Sequence, residues 1–222
     1  MQPPEPPTAI VAAAGRGERS GLGHPKQFLR VSGRSLVRWA VDMLQTGGCD
    51  PVVVVLPPDV DPPEDVRDQA VSFVVGGPSR QESVGNALRL VTSARVVIHD
   101  AARPLADVAL MARVLEALDD VDGVIPVIPM DETIKRVTGS VAVETVDRTG
   151  LWRAQTPSAF NTEVLRKAHE QAARDGFIGT DEGQVVERYG GKVAVVLGSR
   201  MNIKLTYPED IRLVGALLKE RR

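Results

Sequence analysis

This chain of 222 residues has a single cysteine, Cys49. One thiol cannot close an internal disulfide, which fits a reducing compartment and predicts a cytoplasmic protein. Cys49 itself reads as a small buried apolar side chain. The chain also lacks an excess of either charge, with 27 Lys and Arg against 29 Asp and Glu, a formal charge of −2. There is no global basic field to draw in nucleic acid and no block of like charge to form a tail, so an anion site must be local. No apolar run approaches the ~20 residues of a membrane span. The opening MQPPEPP has neither the basic nor the apolar region of a signal peptide and reads as a frayed leader. Three histidines, His24, His99 and His169, are scattered without metal-ligand spacing. Nucleic acid and membrane are thus not expected partners.

What the chain does have is alternation. Short β-branched runs at residues 8–14, 52–56, 72–75, 95–99 and 123–128 alternate with helical periodicity at 35–44, 81–91 and 107–118, with Ser35 a candidate N-cap. The run VVVVL at 52–56 is apolar throughout, as in a strand buried on both faces of a parallel sheet. This predicts a three-layer α/β/α fold, Rossmann-like, with a mostly parallel sheet and right-handed crossovers. Further helices are expected at 162–174, at 181–189 and after Pro208, with strands at 193–197 and 202–205. Near residue 130 the pattern changes. TIKRVTGSVAVETVD, residues 133–147, alternates polar and apolar residues around a turn at Thr138-Gly139-Ser140. This inserted β-hairpin is either an extra antiparallel edge or an arm, within residues 131–155, that packs on a second subunit. Without repeats or an interior linker, residues 1–222 read as one domain.

The densest chemistry lies in AIVAAAGRGERSGLGHPK, residues 9–26. An apolar strand that empties into an Ala/Gly loop lets backbone N–H groups approach a ligand closely. Arg16, Arg19 and Lys26 add positive charge there, as needed to grip a triphosphate. Two familiar loops are excluded. Gly21 is followed by Leu22, which breaks the Walker A pattern, and after Gly15 and Gly17 the next glycine comes one place late for the dinucleotide fingerprint. In an open α/β sheet ligands bind beyond the carboxyl ends of the strands. GGPSRQES follows Val75, with Arg80 and Ser83 supplying donors at a helix start. HDAARP follows Ile98, and Lys204 follows Ile203. Asp100 is the one obvious carboxylate at these ends. It could hold Mg²⁺ on a triphosphate, or pair with Arg103, or cap a helix.

Six motifs, AAAGRGERSGLGHPKQFL, GGPSRQESV, HDAARP, TVDRTGLWRAQTP, TDE and NIKLT, occur in this order across nearly the whole chain. Together they resemble the 2-C-methyl-D-erythritol 4-phosphate cytidylyltransferases of the non-mevalonate isoprenoid pathway. Ala12 stands where the family motif usually has proline. The resemblance implies a fold of the nucleotide-diphospho-sugar transferase type, a homodimer joined through the β-arm, and Mg²⁺ as divalent cofactor. CTP and methylerythritol phosphate would give the CDP-alcohol and pyrophosphate. Carried over by residue, it assigns Arg19 and Lys26 to transition-state stabilisation. Arg148 and Lys204 would position the acceptor phosphate. Thr133 would touch that phosphate, with Thr133 and Arg148 coming from the partner subunit. Ala13, Ala14, Gly15, Gly17, Gly77, Arg80 and Ser83 would surround CTP. Asp100, Ala101 and Arg103 would lie at the ribose and the acceptor chain, with Asp100 near the metal.

The chemistry suits these residues. A phosphate nucleophile is already ionised near neutrality, so no general base is required, and bringing two anions together is work for lysine and arginine. Three rivals remain in view: a cytidylyltransferase for another polyol phosphate such as ribitol 5-phosphate, a nucleotide-binding regulator that has lost catalysis, and a nicotinamide-dependent dehydrogenase. The intact Lys26 and Lys204 argue against the second. The broken fingerprint argues against the third, as does Leu56-Pro57-Pro58 where an acidic residue would be needed. Trp39 reads as a core residue, Trp152 as either core packing or a lining of the dimer arm, and Asp181-Glu182 as a helix N-terminus complementing its dipole.

Overall fold

The computed structural model describes residues 5–15, 26–67 and 70–220. Strand β1 (Thr8–Ala12) leads to a short helical turn at Lys26–Phe28 and a two-residue ribbon, β2 (Arg30–Val31) and β3 (Arg34–Ser35). Then come α1 (Leu36–Thr46), β4 (Val52–Leu56), β5 (Val71–Val75), α2 (Arg80–Leu88), β6 (Arg95–Asp100), α3 (Val108–Glu116) and β7 (Gly123–Pro129). The hairpin is β8 (Ile134–Thr138) and β9 (Val141–Val146). The chain closes with β10 (Trp152–Ala154), β11 (Ser158–Asn161), α4 (Thr162–Asp175), α5 (Glu182–Arg188), β12 (Val193–Leu197) and α6 (Pro208–Glu220). Ser35 caps α1, its side chain accepting from the Arg38 N–H.

The central sheet runs β12, β7, β11, β6, β1, β4, β5. Pairs β12–β7, β6–β1, β1–β4 and β4–β5 are parallel, whereas β11 runs antiparallel to both its neighbours. Strand β10 lies antiparallel along the same edge of β7 as β11, with Ala154 opposite Val127 and Ala159 opposite Val124. Two extra residues are therefore accommodated between them, which frees Thr156 from the ladder.

Both faces of the sheet are covered, and the strand sequences carry two interleaved codes. Ala9, Val11, Val52, Val54 and Val97 face α1 and α3 in one core. Ile10, Val53, Val55, Val96 and Ile98 face α2, α4 and α5 in the other. This is why β4 is apolar at every position. A third, smaller cluster joins Val31, Leu36, Leu105 and Leu205 to Val214 and Leu218 of α6.

The predicted three-layer, mostly parallel architecture is present, with differences in detail. Strand β1 stops at Ala12, two residues early, because Ala13 and Ala14 turn into the loop. Residues 202–205 form no strand. Asn202 spends its side chain on the Thr156 carbonyl, and the Leu205 N–H donates to the Ala102 carbonyl, outside any ladder. Its alternating apolar residues anchor a loop: Leu205 is fully buried. Strands β10 and β11 were not anticipated, since three- and four-residue strands give too little periodicity to read. The β8–β9 hairpin forms its own two-stranded sheet, with Val137, Val141 and Val143 all more than half exposed.

Phe160 is completely buried, and a Cβ on Gly123 would lie 2.4 Å from its ring. Phe160→Ala is expected to cost about 3–5 kcal/mol. Gly123→Ala should also destabilise, because ring and added methyl compete for one space. Urea unfolding monitored by circular dichroism checks both.

Candidate active site

The carboxyl ends of β1, β5 and β6 meet at one mouth of the sheet. After β1 the loop Ala13-Ala14-Gly15 is held from beneath by Gln27, whose Nε2 donates to the Ala13 carbonyl at 2.5 Å and the Gly15 carbonyl at 2.8 Å. Gln27 is 4% exposed and directly follows Lys26. After β5 the chain passes through Gly76-Gly77. A Cβ on Gly76 would lie 2.4 Å from the Ala14 Cβ and 2.8 Å from the Ser83 Oγ, so glycine is what lets the two loops touch. The Gly77 N–H donates to Ser83 Oγ at 3.1 Å. Helix α2 opens with a capping box between Ser79 and Glu82, which sets Arg80 at its first position.

Asp100 ends β6 and is nearly buried. Its Oδ1 accepts from Nε and Nη2 of Arg80, each at 3.2 Å, and its Oδ2 accepts from Lys204 Nζ at 2.6 Å. Arg103 Nε stands 3.9 Å from Oδ2. Burial alone would push this carboxyl up. Arg80, Lys204 and Arg103 outweigh it and hold the group well below the usual carboxylate range. The far side of Arg80 is also taken: Nη1 donates to Glu182 Oε1 at 2.7 Å and Oε2 at 2.6 Å. Burial disfavours the guanidinium charge, but Glu182 and Asp100 more than compensate and raise its affinity for the proton.

Behind Asp100 sits a neutral relay. The Asp100 N–H donates to Thr156 Oγ1 at 3.0 Å, and that hydroxyl lies 3.0 Å from His99 Nδ1. His99 Nε2 is 3.2 Å from the Arg103 carbonyl. Burial pushes His99 down to about 4, so the ring is neutral near pH 7. A carbonyl only accepts, so Nε2 carries the proton and Nδ1 accepts from Thr156. Arg103 Nη1 donates to the Asn202 carbonyl at 2.8 Å and Nη2 to the Ala154 carbonyl at 3.2 Å. Gln155 Nε2 donates to the Ser199 carbonyl at 2.9 Å. These bonds fix the loop that delivers Lys204, whose side chain is 41% exposed.

The structure thus brings together Ala13, Ala14, Gly15, Gly77, Arg80, Ser83, Asp100, Ala101, Arg103 and Lys204 around one mouth. Thr133 and Arg148 stand apart from this cluster, exposed at the two feet of the hairpin. There Arg148 donates to the Asp131 carbonyl, and Asp131 pairs with Arg200 at 2.5 Å. Gly17, Arg19 and the Lys26 side chain lie outside the described residues. Sequence reasoning missed Gln27, Thr156 and Asn202, polar residues whose burial only the fold reveals. Asp181 does cap α5, accepting from the Gln184 N–H, but Glu182 is more than a helix end: it is 2% exposed and bidentate to Arg80.

The family model for IspD, 2-C-methyl-D-erythritol 4-phosphate cytidylyltransferase, matches residues 8–220. The chain belongs to this family. The Aquifex aeolicus 2-C-methyl-D-erythritol 4-phosphate cytidylyltransferase is 41% identical over 211 residues, spanning 95% of this chain and 97% of the relative. The Geotalea uraniireducens protein of the same name is 37% identical, over 96% of each chain. The crystal structure of the Thermus thermophilus enzyme superposes with a TM-score of 0.85 at 35% identity, covering 95% of this chain and 98% of that one. This cytidylyltransferase is therefore a nucleotidyltransferase that takes CTP as co-substrate and methylerythritol phosphate as acceptor. The ribitol phosphate alternative finds no support among these relatives.

His99 is fully buried and His169 half-buried, and both are pushed down, His99 to about 4, primarily by loss of hydration. An unfolded histidine takes a proton below about 6.5, whereas folded His99 does so only near 4 and folded His169 is shifted in the same direction. Protons therefore favour the unfolded chain, and stability falls as pH drops from about 6.5 towards 4. His99→Gln is expected to flatten this slope between pH 6.5 and 5, read as the pH dependence of the urea midpoint.

Proposed function

We propose that cytidylyl transfer occurs at the mouth formed by β1, β5 and β6, by in-line attack of a methylerythritol phosphate oxygen on the α-phosphorus of CTP. The new P–O bond forms as the bridging α–β P–O bond breaks, and pyrophosphate leaves with that bond's electron pair. Asp100 carries this reading. A buried carboxylate that gathers Arg80, Arg103 and Lys204 leaves a surplus of positive charge at the strand ends, suited to polyanions. Ala13, Ala14, Gly15, Gly77 and Ser83 supply the close backbone and hydroxyl contacts for the cytidine portion. Lys204 has the exposure to reach the acceptor phosphate, and Arg19 and Lys26 would stabilise the charge of the transition state. Their sum is preorganised charge at a site that needs no general base.

The donor set fits one kind of magnesium site. No group of three or more His, Cys, Asp or Glu among the described residues could cage a metal ion, and Asp100 is already held by cations. Mg²⁺ binds well with one or two carboxylates, water and substrate phosphates. Asp100 would be its protein anchor, and the ion would supply charge neutralisation on the triphosphate.

The assembly proposed is a homodimer of single-domain subunits. Residues 131–155 form the arm that reaches the partner, and Thr133 and Arg148 complete the partner's site. The exposed valines of the hairpin favour this over a free edge. A cytoplasmic location agrees with a lone buried thiol, and among the described residues no helix is long and apolar enough to cross a membrane.

Pyrophosphate release with CTP and Mg²⁺ is expected with methylerythritol phosphate and not with ribitol 5-phosphate. Lys204→Ala should lower kcat by on the order of a hundredfold or more. Release with ribitol 5-phosphate alone would overturn the acceptor assignment. The dimer has its own measurement. Lys204→Ala and Arg148→Ala chains, each inactive, should recover about a quarter of wild-type activity when refolded together, since half the dimers are mixed and each holds one intact site. No recovery would place Arg148 in its own subunit's site.

A further inference from the structure

Resting on the transfer site proposed above, we propose that Glu182 is a positioning residue that acts through Arg80 to fix Asp100 and Lys204. Four charged side chains alternate in sign along one line: Glu182, Arg80, Asp100, Lys204. Their contacts are 2.6, 3.2 and 2.6 Å. The two acids are the buried members, with side chains 3% and 10% exposed, and the two cations are the more open ones, at 31% for Arg80 and 41% for Lys204. The line runs from the interior at α5 to the open mouth of the site.

Arginine has a rigid planar fork, and here it is gripped at both ends. Glu182 chelates Nη1 with both oxygens, which leaves the Nε and Nη2 edge a single orientation towards Asp100 Oδ1. With Oδ1 committed, Oδ2 points at Lys204. A flexible four-carbon side chain at the mouth thus takes its position from a carboxylate three links away. Glu182 also cancels one of the three cations around Asp100. Without it the Arg80 Nη1 end would be free to turn towards the triphosphate and hold it in the ground state. Binding of that kind does not speed the chemical step.

The sequence separation is what makes the arrangement informative. Glu182 lies 102 residues from Arg80, on a helix of the opposite half of the chain. Near-complete burial of a carboxylate is tolerated only when it is paired this well. Asp181, its neighbour, is the N-cap of α5 and accepts from the Gln184 N–H, while Gln184 Oε1 accepts from the Thr180 N–H, so capping does not call on an acid at 182.

The test is a double-mutant cycle on the full-length enzyme, with pyrophosphate release from CTP and methylerythritol phosphate as readout and melting temperature as control. Glu182→Gln keeps the shape and removes the charge. It is expected to lower kcat by on the order of tenfold to a hundredfold, as small misplacements of reacting groups do, with the KM for CTP unchanged or lower. Glu182→Asp should recover part of the loss. Glu182→Gln added to Arg80→Gln should cost nothing further, because Glu182 acts only through Arg80. Full kcat in Glu182→Gln would overturn the proposal. So would losses that add in the double variant, or that follow melting temperature across the four Glu182 and Arg80 variants. Silence of the wild-type enzyme would instead defeat the transfer reading itself, which keeps the two failures distinct.

Discussion

One buried negative charge organises this molecule. Asp100 stands at the end of a central strand, almost out of water, and could not remain ionised there alone. Its three cations come from separate stretches of chain: Arg80 from the start of α2, Arg103 from the turn after β6, and Lys204 from the loop before α6. Each of these segments is in turn fixed by its own bonds, the capping box for α2, the carbonyls of Asn202 and Ala154 for Arg103, and the side chains of Gln155 and Asn202 for the last loop. The charge cluster is what brings residues from both halves of the chain to a common point.

The sheet supplies the frame for that point. Because β1, β4 and β6 are covered on both faces, their side chains are committed to packing, and chemistry is confined to where the strands end. His99 marks the boundary. It belongs to β6, is fully buried and neutral, and serves Asp100 only by orienting the Thr156 hydroxyl beneath it. One residue later the chain emerges into the site.

Much of this was legible in the sequence, for identifiable reasons. The run at 52–56 and the helix beginning after Ser35 could be read because periodicity and capping are local properties. The Gly/Ala loops and the residues following Val75 and Ile98 could be read because residues at strand ends are released from packing and here carry glycine, charge or both. What escaped was long-range. Glu182 looked like a helix terminus because its neighbour Asp181 is one, and nothing within a few residues betrays a partner at position 80. The stretch 202–205 alternates like a strand, but Asn202 and Leu205 are bound to β10–β11 and the Ala102 carbonyl instead. Strands β10 and β11 are short and owe their existence to partners distant in sequence, β7 for β10 and β6 with β7 for β11.

The course of the chain after the hairpin has a mechanical consequence. The segment that returns from the hairpin becomes β10, and the last residue of β10, Ala154, offers its carbonyl to Arg103. The next two side chains, Gln155 and Thr156, hold the Lys204 loop and the backbone of Asp100. The hairpin is thus a lever whose fulcrum is built from the same few peptide units that align the charges. A load applied at its tip reaches the Ala154–Thr156 peptide units before any other part of the mouth, whereas the Ala13–Gly15 loop has a separate anchor in Gln27, on the far side of β6.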